Sequence, residues 1–115
     1  MALDILQSVE IIETMENYIE SIRPHESIRH NLDIAYKIEN QSIIIYEIRP
    51  LYLKPGKYID SRVAKTTYVH TQKVWKIYWL RASGKWESYT PVPEVKTLNE
   101  FLEVIDDDSR GTFWG

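Results

Sequence analysis

The sequence predicts a single α+β domain over residues 1–115: an N-terminal helix, an antiparallel meander of about five strands, a C-terminal helix and an ordered aromatic tail. Three observations carry this reading. Apolar residues in the first segment recur at spacings of three and four. From Leu32 the period changes to two, with turn-forming residues between the runs. After Thr97 the helical spacing returns.

The first helix is expected over about 4–22, where Ile5, Val9, Ile12, Met15, Ile19 and Ile22 form one stripe. Glu10, Glu13, Glu16 and Glu20 occupy other faces, Asp4 is placed as N-cap, and Pro24 ends the helix. The sheet is expected over about 31–90. Leu32, Ile34, Tyr36 and Ile38 alternate with polar residues, and "ENQS" (Glu39–Ser42) turns the chain into "IIIYEIRP". There Ile44, Tyr46 and Ile48 share one face, and Ile43, Ile45, Glu47 and Arg49 the other. Pro50 and the Pro55-Gly56 turn break the pattern before "RVAKTTYVH" and "KVWKIYWLR", joined through Thr71-Gln72. Ala82–Gly84 leads into a short fifth strand, "KWESYT", and "PVPEV" stops the sheet. The second helix, about 97–106, opens on the capping-box pair Thr97 and Glu100 and buries Leu98, Phe101, Leu102 and Ile105. Carboxylates oppose the dipole at a helix C-terminus, so Asp106–Asp108 mark the exit. In the tail, 107–115, Gly111 lets the chain reverse so that Phe113 and Trp114 cover apolar surface. Gly115 then carries a terminal carboxylate toward the basic region, at Arg49 or Arg62.

Composition narrows the classes of function. There is no cysteine, which removes disulfide frameworks, thiol catalysis and cysteine-ligated zinc together. The N-terminus turns acidic without a basic flank, unlike a secretory signal, and no apolar run approaches the ~18 residues of a membrane span. A soluble, cytoplasmic chain is expected. The net charge of −3 conceals segregation: residues 1–48 carry −6, 49–85 carry +8, and 86–115 carry −5. That pattern fits either a polyanion site or acidic helices neutralising a basic sheet.

Chemical motifs are sparse. "HESIRH" (His25–His30) spaces its histidines by five, which on a helix sets them about 140° apart, so it fails the geometry of a zinc-protease helix. Asp106 and Asp108 fall short of a coordination shell for a hard cation. No cofactor or metal is expected. More informative is a polar group on the sheet. Glu47, Lys65, Lys76 and Tyr78 form a patch if strands two to four bring them to one face, either binding an anion or serving as a cross-strand ion-pair ladder. Arg49, Trp79, Trp86 and Tyr89 lie in the same basic, aromatic-rich stretch, a composition that suits base stacking or ordinary sheet packing.

"YEIRP", "VAKTTYV", "VWKIYWLRASGKWESY", "VPEVKTLNEFLEVID" and the closing "GTFWG" together resemble a bacterial domain-of-unknown-function family, number 3024, from about Ile28 to Gly115. The resemblance implies a small stand-alone bacterial protein with signature positions at Arg49-Pro50, Trp79, Trp86, Tyr89 and Phe113-Trp114-Gly115, with Glu87 where a histidine or another polar residue is expected. It implies no catalytic role. The leading expectation is a small non-catalytic binding or interaction protein whose partner is another protein or a second copy, with no membrane partner. The alternatives are an anionic-ligand or single-stranded nucleic-acid binder using the basic aromatic face, and a small enzyme using Glu47.

Overall fold

The computed structural model describes residues 5–114, with side chains from residue 7 onward. Asp4 as N-cap, the Ile5 side chain of the expected stripe, and Gly115 with its carboxylate lie outside the described residues. Helix α1 (Ile5–Ile22) packs through Ile11, Met15, Tyr18 and Ile19, with Ile22 at the margin of the core. This face differs from the expected stripe: Val9 and Ile12 are 56% and 45% exposed. Val9 lies about 150° around the helix from the Ile11–Met15–Tyr18–Ile22 line, at about 100° per residue. An aliphatic count overlooks Tyr18, whose ring is buried while its hydroxyl donates to Asp106 Oδ1 at 2.7 Å. Burial first, and the bond to Asp106 second, push the Tyr18 hydroxyl far above its usual range.

A polar connector joins α1 to the sheet. His25 Nδ1 accepts the Ser27 amide N–H at 3.2 Å and caps a single 3-10 turn, Glu26–Ile28. Beside it, Arg23 donates from Nε and Nη2 to the two oxygens of Asp33, each at 2.7 Å. That fork holds the end of α1 on the first residue of β1. Hydrogen bonding to Arg23 is the main cause holding the Asp33 carboxyl below its usual range.

Strands β1 (Asp33–Glu39), β2 (Ser42–Pro50), β3 (Tyr58–Val69), β4 (Val74–Leu80) and β5 (Trp86–Ser88) follow one another across an antiparallel meander. Two boundaries differ from expectation. β3 begins at Tyr58, because β2 continues pairing through Arg49↔Ile59 and Pro50↔Tyr58; a proline at the strand's last position forfeits only one amide. "PVPEV" does not leave the sheet: it contains β6 (Glu94–Val95), which pairs with β4 beside β5 on the same edge. Between them Ile77 donates to the Pro93 carbonyl at 3.0 Å and accepts from the Tyr89 amide at 2.9 Å, so the edge of β4 stays satisfied. β2 and β3 shift register between Ile45 and Tyr46: Ile45 faces Ala64, Tyr46 faces Arg62, and Val63 is the extra residue of a bulge.

Ile34, Ile43, Ile45, Ala64, Trp75 and Ile77 form the sheet side of the core, facing α1 and α2 (Leu98–Asp107). The buried hydroxyl of Thr66 is satisfied by the Lys76 carbonyl at 2.8 Å. Thr97 caps α2, accepting the Glu100 amide N–H at 3.1 Å and donating to Glu100 Oε1 at 3.1 Å. Asp108 ends α2 in a left-handed conformation, and its carboxylate accepts the amides of Phe113 (3.0 Å) and Trp114 (2.8 Å). Gly111, at φ 64°, makes the reversal. Phe113 is buried against Tyr89, ring centroids 4.9 Å apart, and the Trp114 indole N–H donates to the Ile105 carbonyl at 3.1 Å. The tail is therefore a clasp on the core. No helix among the described residues is long and apolar enough to cross a membrane.

Truncating Phe113 to Ala is expected to lower unfolding free energy by about 3–5 kcal/mol in a urea titration. Asp108→Ala, which orphans two amides, is expected to lower it by about 1–3 kcal/mol. Because the Asp33 carboxyl is depressed in the folded state, its contribution is full above the ordinary carboxylate range and is lost as pH falls through the depressed value. Asp33→Asn is thus expected to destabilise at neutral pH and to flatten the acid limb of a melting-temperature profile; an unchanged acid limb would refute the role given to the fork.

Candidate functional site

Both helices lie on one side of the sheet, so the other face must be finished by its own side chains. Across it, the ladder aligns Lys37, Ile44, Lys65, Tyr78 and Ser88 in one row. A neighbouring row runs Glu39, Ser42, Thr67, Lys76 and Glu94, closed by a 2.7 Å hydrogen bond between the Ser42 and Thr67 hydroxyls. Ile44 is buried yet stands outside the main core, roofed by this surface layer. That layer is built of cations lying over rings. Lys65 Nζ sits 5.6 Å from the Tyr78 centroid and 5.7 Å from that of Trp86. The Arg62 guanidinium lies 5.8 Å from the same Trp86 ring, and Lys37 Nζ lies 5.7 Å from Tyr46. Such stacking buries the aliphatic stems while keeping the charges at the solvent boundary.

The residues singled out from the sequence divide between the two sides. Lys65, Lys76, Tyr78 and Trp86 share the open face. Glu47 does not join them: it pairs with Ile34 on the helix side and accepts from Arg49 Nη2 at 3.2 Å. The expected quartet of Glu47, Lys65, Lys76 and Tyr78 is therefore split, since β2 alternates without interruption and Glu47 keeps the side of Ile43 and Ile45. Arg49 is exposed opposite Ile59, along the arm of the β2–β3 hairpin. Trp79 packs against the core, and Tyr89 is within it. No cross-strand ladder forms from the group. Its ion pairs are Glu47–Arg49 along one strand and Lys76–Glu94, at 2.6 Å, across two. Phe113 and Trp114 are structural, as the clasp requires.

Sequence reasoning overlooked Tyr46, Arg62 and Lys37 as members of this face. Residues 62 and 65 are an odd number apart and fall on opposite sides of a regular strand. The bulge at Val63 absorbs one residue and brings Arg62 and Lys65 to the same side. The adjacent apolar pair Val63-Ala64, both buried, is the signal that could have revealed it.

Helix carboxylates and sheet cations are not joined by ion pairs among the described residues. The ion pairs among the described residues are Arg23–Asp33, Lys37–Glu39, Arg49–Glu47, Lys76–Glu94 and Arg81–Glu87, none joining a helix carboxylate to a sheet cation. Arg62 and Lys65 have no carboxylate within ion-pair distance among the described residues. By register Asp33, Glu39, Asp60 and Glu94 share the open face with these cations, so the charge segregation along the sequence is not a separation between the two sides of the molecule. Elsewhere a depression of about 630 Å³ lies between α1 and α2 and is lined by Glu13, Asn17, Tyr18, Glu103 and Asp106 among others. It is wide open and carries no base.

Fold and face together define an α+β protein, a sheet backed by helices on one side and lined by cations and aromatic rings on the other. The chain belongs to the family described as a domain of unknown function, DUF3024, which it matches over residues 3–115. The match includes α1 as well as the stretch from Ile28 onward that carries the resemblance. No curated protein and no solved structure matches the chain.

The two tryptophans on opposite sides provide a check. Trp75→Ala, in the core, is expected to cost about 3–5 kcal/mol of unfolding free energy. Trp86→Ala should cost about 1 kcal/mol, the scale of an exposed cation–π contact. Equal costs in a denaturant titration would contradict this assignment of sides.

Proposed function

We propose that the chain is a cytoplasmic binding protein, working without a cofactor, whose open sheet face takes single-stranded nucleic acid. The observation that carries this reading is the layer in which Lys65 and Arg62 lie over Tyr78 and Trp86 with no acid paired to either cation among the described residues. Phosphates need cations that are not already neutralised, and unstacked bases need flat rings beside them. A sheet without a helix over it offers both in one plane. The cysteine-free composition suits a reducing compartment. A partner protein remains the competing occupant, but charge-dense faces are depleted at the centres of protein interfaces, which favours the polyanion.

Fluorescence anisotropy with a labelled single-stranded oligonucleotide tests the proposal. Affinity should fall as salt rises, and Lys65→Glu or Arg62→Glu should weaken binding and reduce the log–log salt slope by about one per charge contact removed. Trp86→Ala should cost about 1–3 kcal/mol of binding through lost stacking. Glu47→Gln, on the other side, should leave the affinity unchanged. Absent or salt-independent binding would overturn the proposal, as would equal sensitivity to Glu47→Gln.

A further inference from the structure

The β2–β3 hairpin carries a second surface that the open face does not include. Every residue from Tyr52 to Arg62 is exposed, so this arm stands clear of the core. At its tip Tyr52 is 95% and Leu53 86% exposed, followed by Tyr58 at 54% and Ile59 at 51%. Leu51, Tyr52, Leu53 and Lys54 line a shallow depression of about 360 Å³. The tip is a built turn: Leu51 donates to the Lys57 carbonyl at 2.9 Å, Lys57 to Lys54 at 3.0 Å, and Lys54 to Leu51 at 3.3 Å. Gly56, at φ 81°, supplies the left-handed residue. The turn therefore holds its apolar side chains outward instead of folding them onto the sheet. Between Leu51 and Ile59 the only charges are Lys54 and Lys57, with no acid, and neither forms an ion pair among the described residues.

We propose that this hairpin tip seats on an anionic lipid surface, with Tyr52 and Leu53 entering the headgroup boundary and Lys54 and Lys57 meeting the lipid phosphates. At the turn itself, Leu51 to Tyr58, the charges are cations, the exposed acid Asp60 lying further along the arm beyond Ile59. An apolar turn with that charge matches an interface that is apolar below and negative at its surface. A neutral protein groove would be served by the apolar residues without the lysines, and a nucleic acid by the lysines without Leu53. The sequence expectation of no membrane partner rests on the lack of a spanning segment. A hairpin tip lies in the interface without spanning, so it needs no long apolar run.

The test is co-sedimentation of the full chain with phosphatidylcholine vesicles and with vesicles half phosphatidylglycerol. The chain should partition onto the anionic vesicles and not the neutral ones. Tyr52→Ser/Leu53→Ser and Lys54→Glu/Lys57→Glu should each reduce partitioning by about tenfold or more, with melting temperature unchanged because the tip lies outside the core. Lys65→Glu should change it by less than about twofold in physiological salt, its charge being away from the seated tip. Binding that survives Tyr52→Ser/Leu53→Ser would be adsorption by charge alone and would overturn the proposal. So would no preference for anionic vesicles. Two other results would also overturn it by assigning the tip elsewhere: loss of a concentration-dependent dimer in light scattering with vesicle binding unchanged, or weakened oligonucleotide binding in the tip variants. The sheet-face proposal fails or stands separately, on the anisotropy of Lys65→Glu and Trp86→Ala.

Discussion

The constraint that governs this fold is that two helices roof only one side of the sheet. α1 and α2 bring Ile11, Met15, Phe101, Leu102 and Ile105 onto Ile34, Ile43, Ile45 and Ile77, and that side becomes a dry core. The opposite side also carries an aliphatic residue that must leave water, Ile44. The ladder sets it between Lys37 and Lys65, whose ammonium groups lie over Tyr46 and Tyr78. Burying Ile44 and presenting cations are therefore one arrangement: the lysine that shields the isoleucine also holds its ammonium over an aromatic face. The cations over rings on the open face follow from how its apolar centre is covered.

The bulge at Val63 turns this arrangement into a site with a direction. Without the extra residue, Arg62 would face the helices and Trp86 would have one cation instead of two. With it, β3 contributes two buried residues, Val63 and Ala64, to the core and two cations to the open side within four positions. Bulges concentrate at places where a strand must re-aim a side chain, and here the re-aimed group is Arg62.

The sequence was legible where periodicity and turn chemistry agree. The meander order, the Thr97 cap, the Gly84 turn and the inward return of Phe113 follow from local rules that nothing in the tertiary structure overrides. Legibility failed where a long-range partner decides. The buried face of α1 turns on Tyr18, whose position depends on Asp106, 88 residues away. The Arg23–Asp33 fork depends on where β1 begins. In the site, Lys65, Lys76, Tyr78 and Trp86 were found because they sit in regular stretches of alternation. Arg62 was missed because a bulge is an interruption of alternation, and Glu47 was assigned to the wrong company because one strand's alternation does not say which face its neighbours share.

The Asp108 clasp also bears on the order in which the molecule can be completed. A chain leaves the ribosome from its N-terminus, and domains complete their folding only once the residues they need have emerged. α1 is made first, but the face it buries is finished by Asp106, and the rim beside Tyr89 is sealed by Phe113, among the last residues described. The meander can pair strand by strand during synthesis, each hairpin being local. Its roof cannot. Until residues 98–114 are free, α1 is the part of the roof already made, and the share of the core that α2, Phe113 and Trp114 close stays open. The interval between the making of the sheet and its sealing is the time in which this protein is most exposed to unwanted association, and its length is set by the distance in the chain between β4 and the clasp.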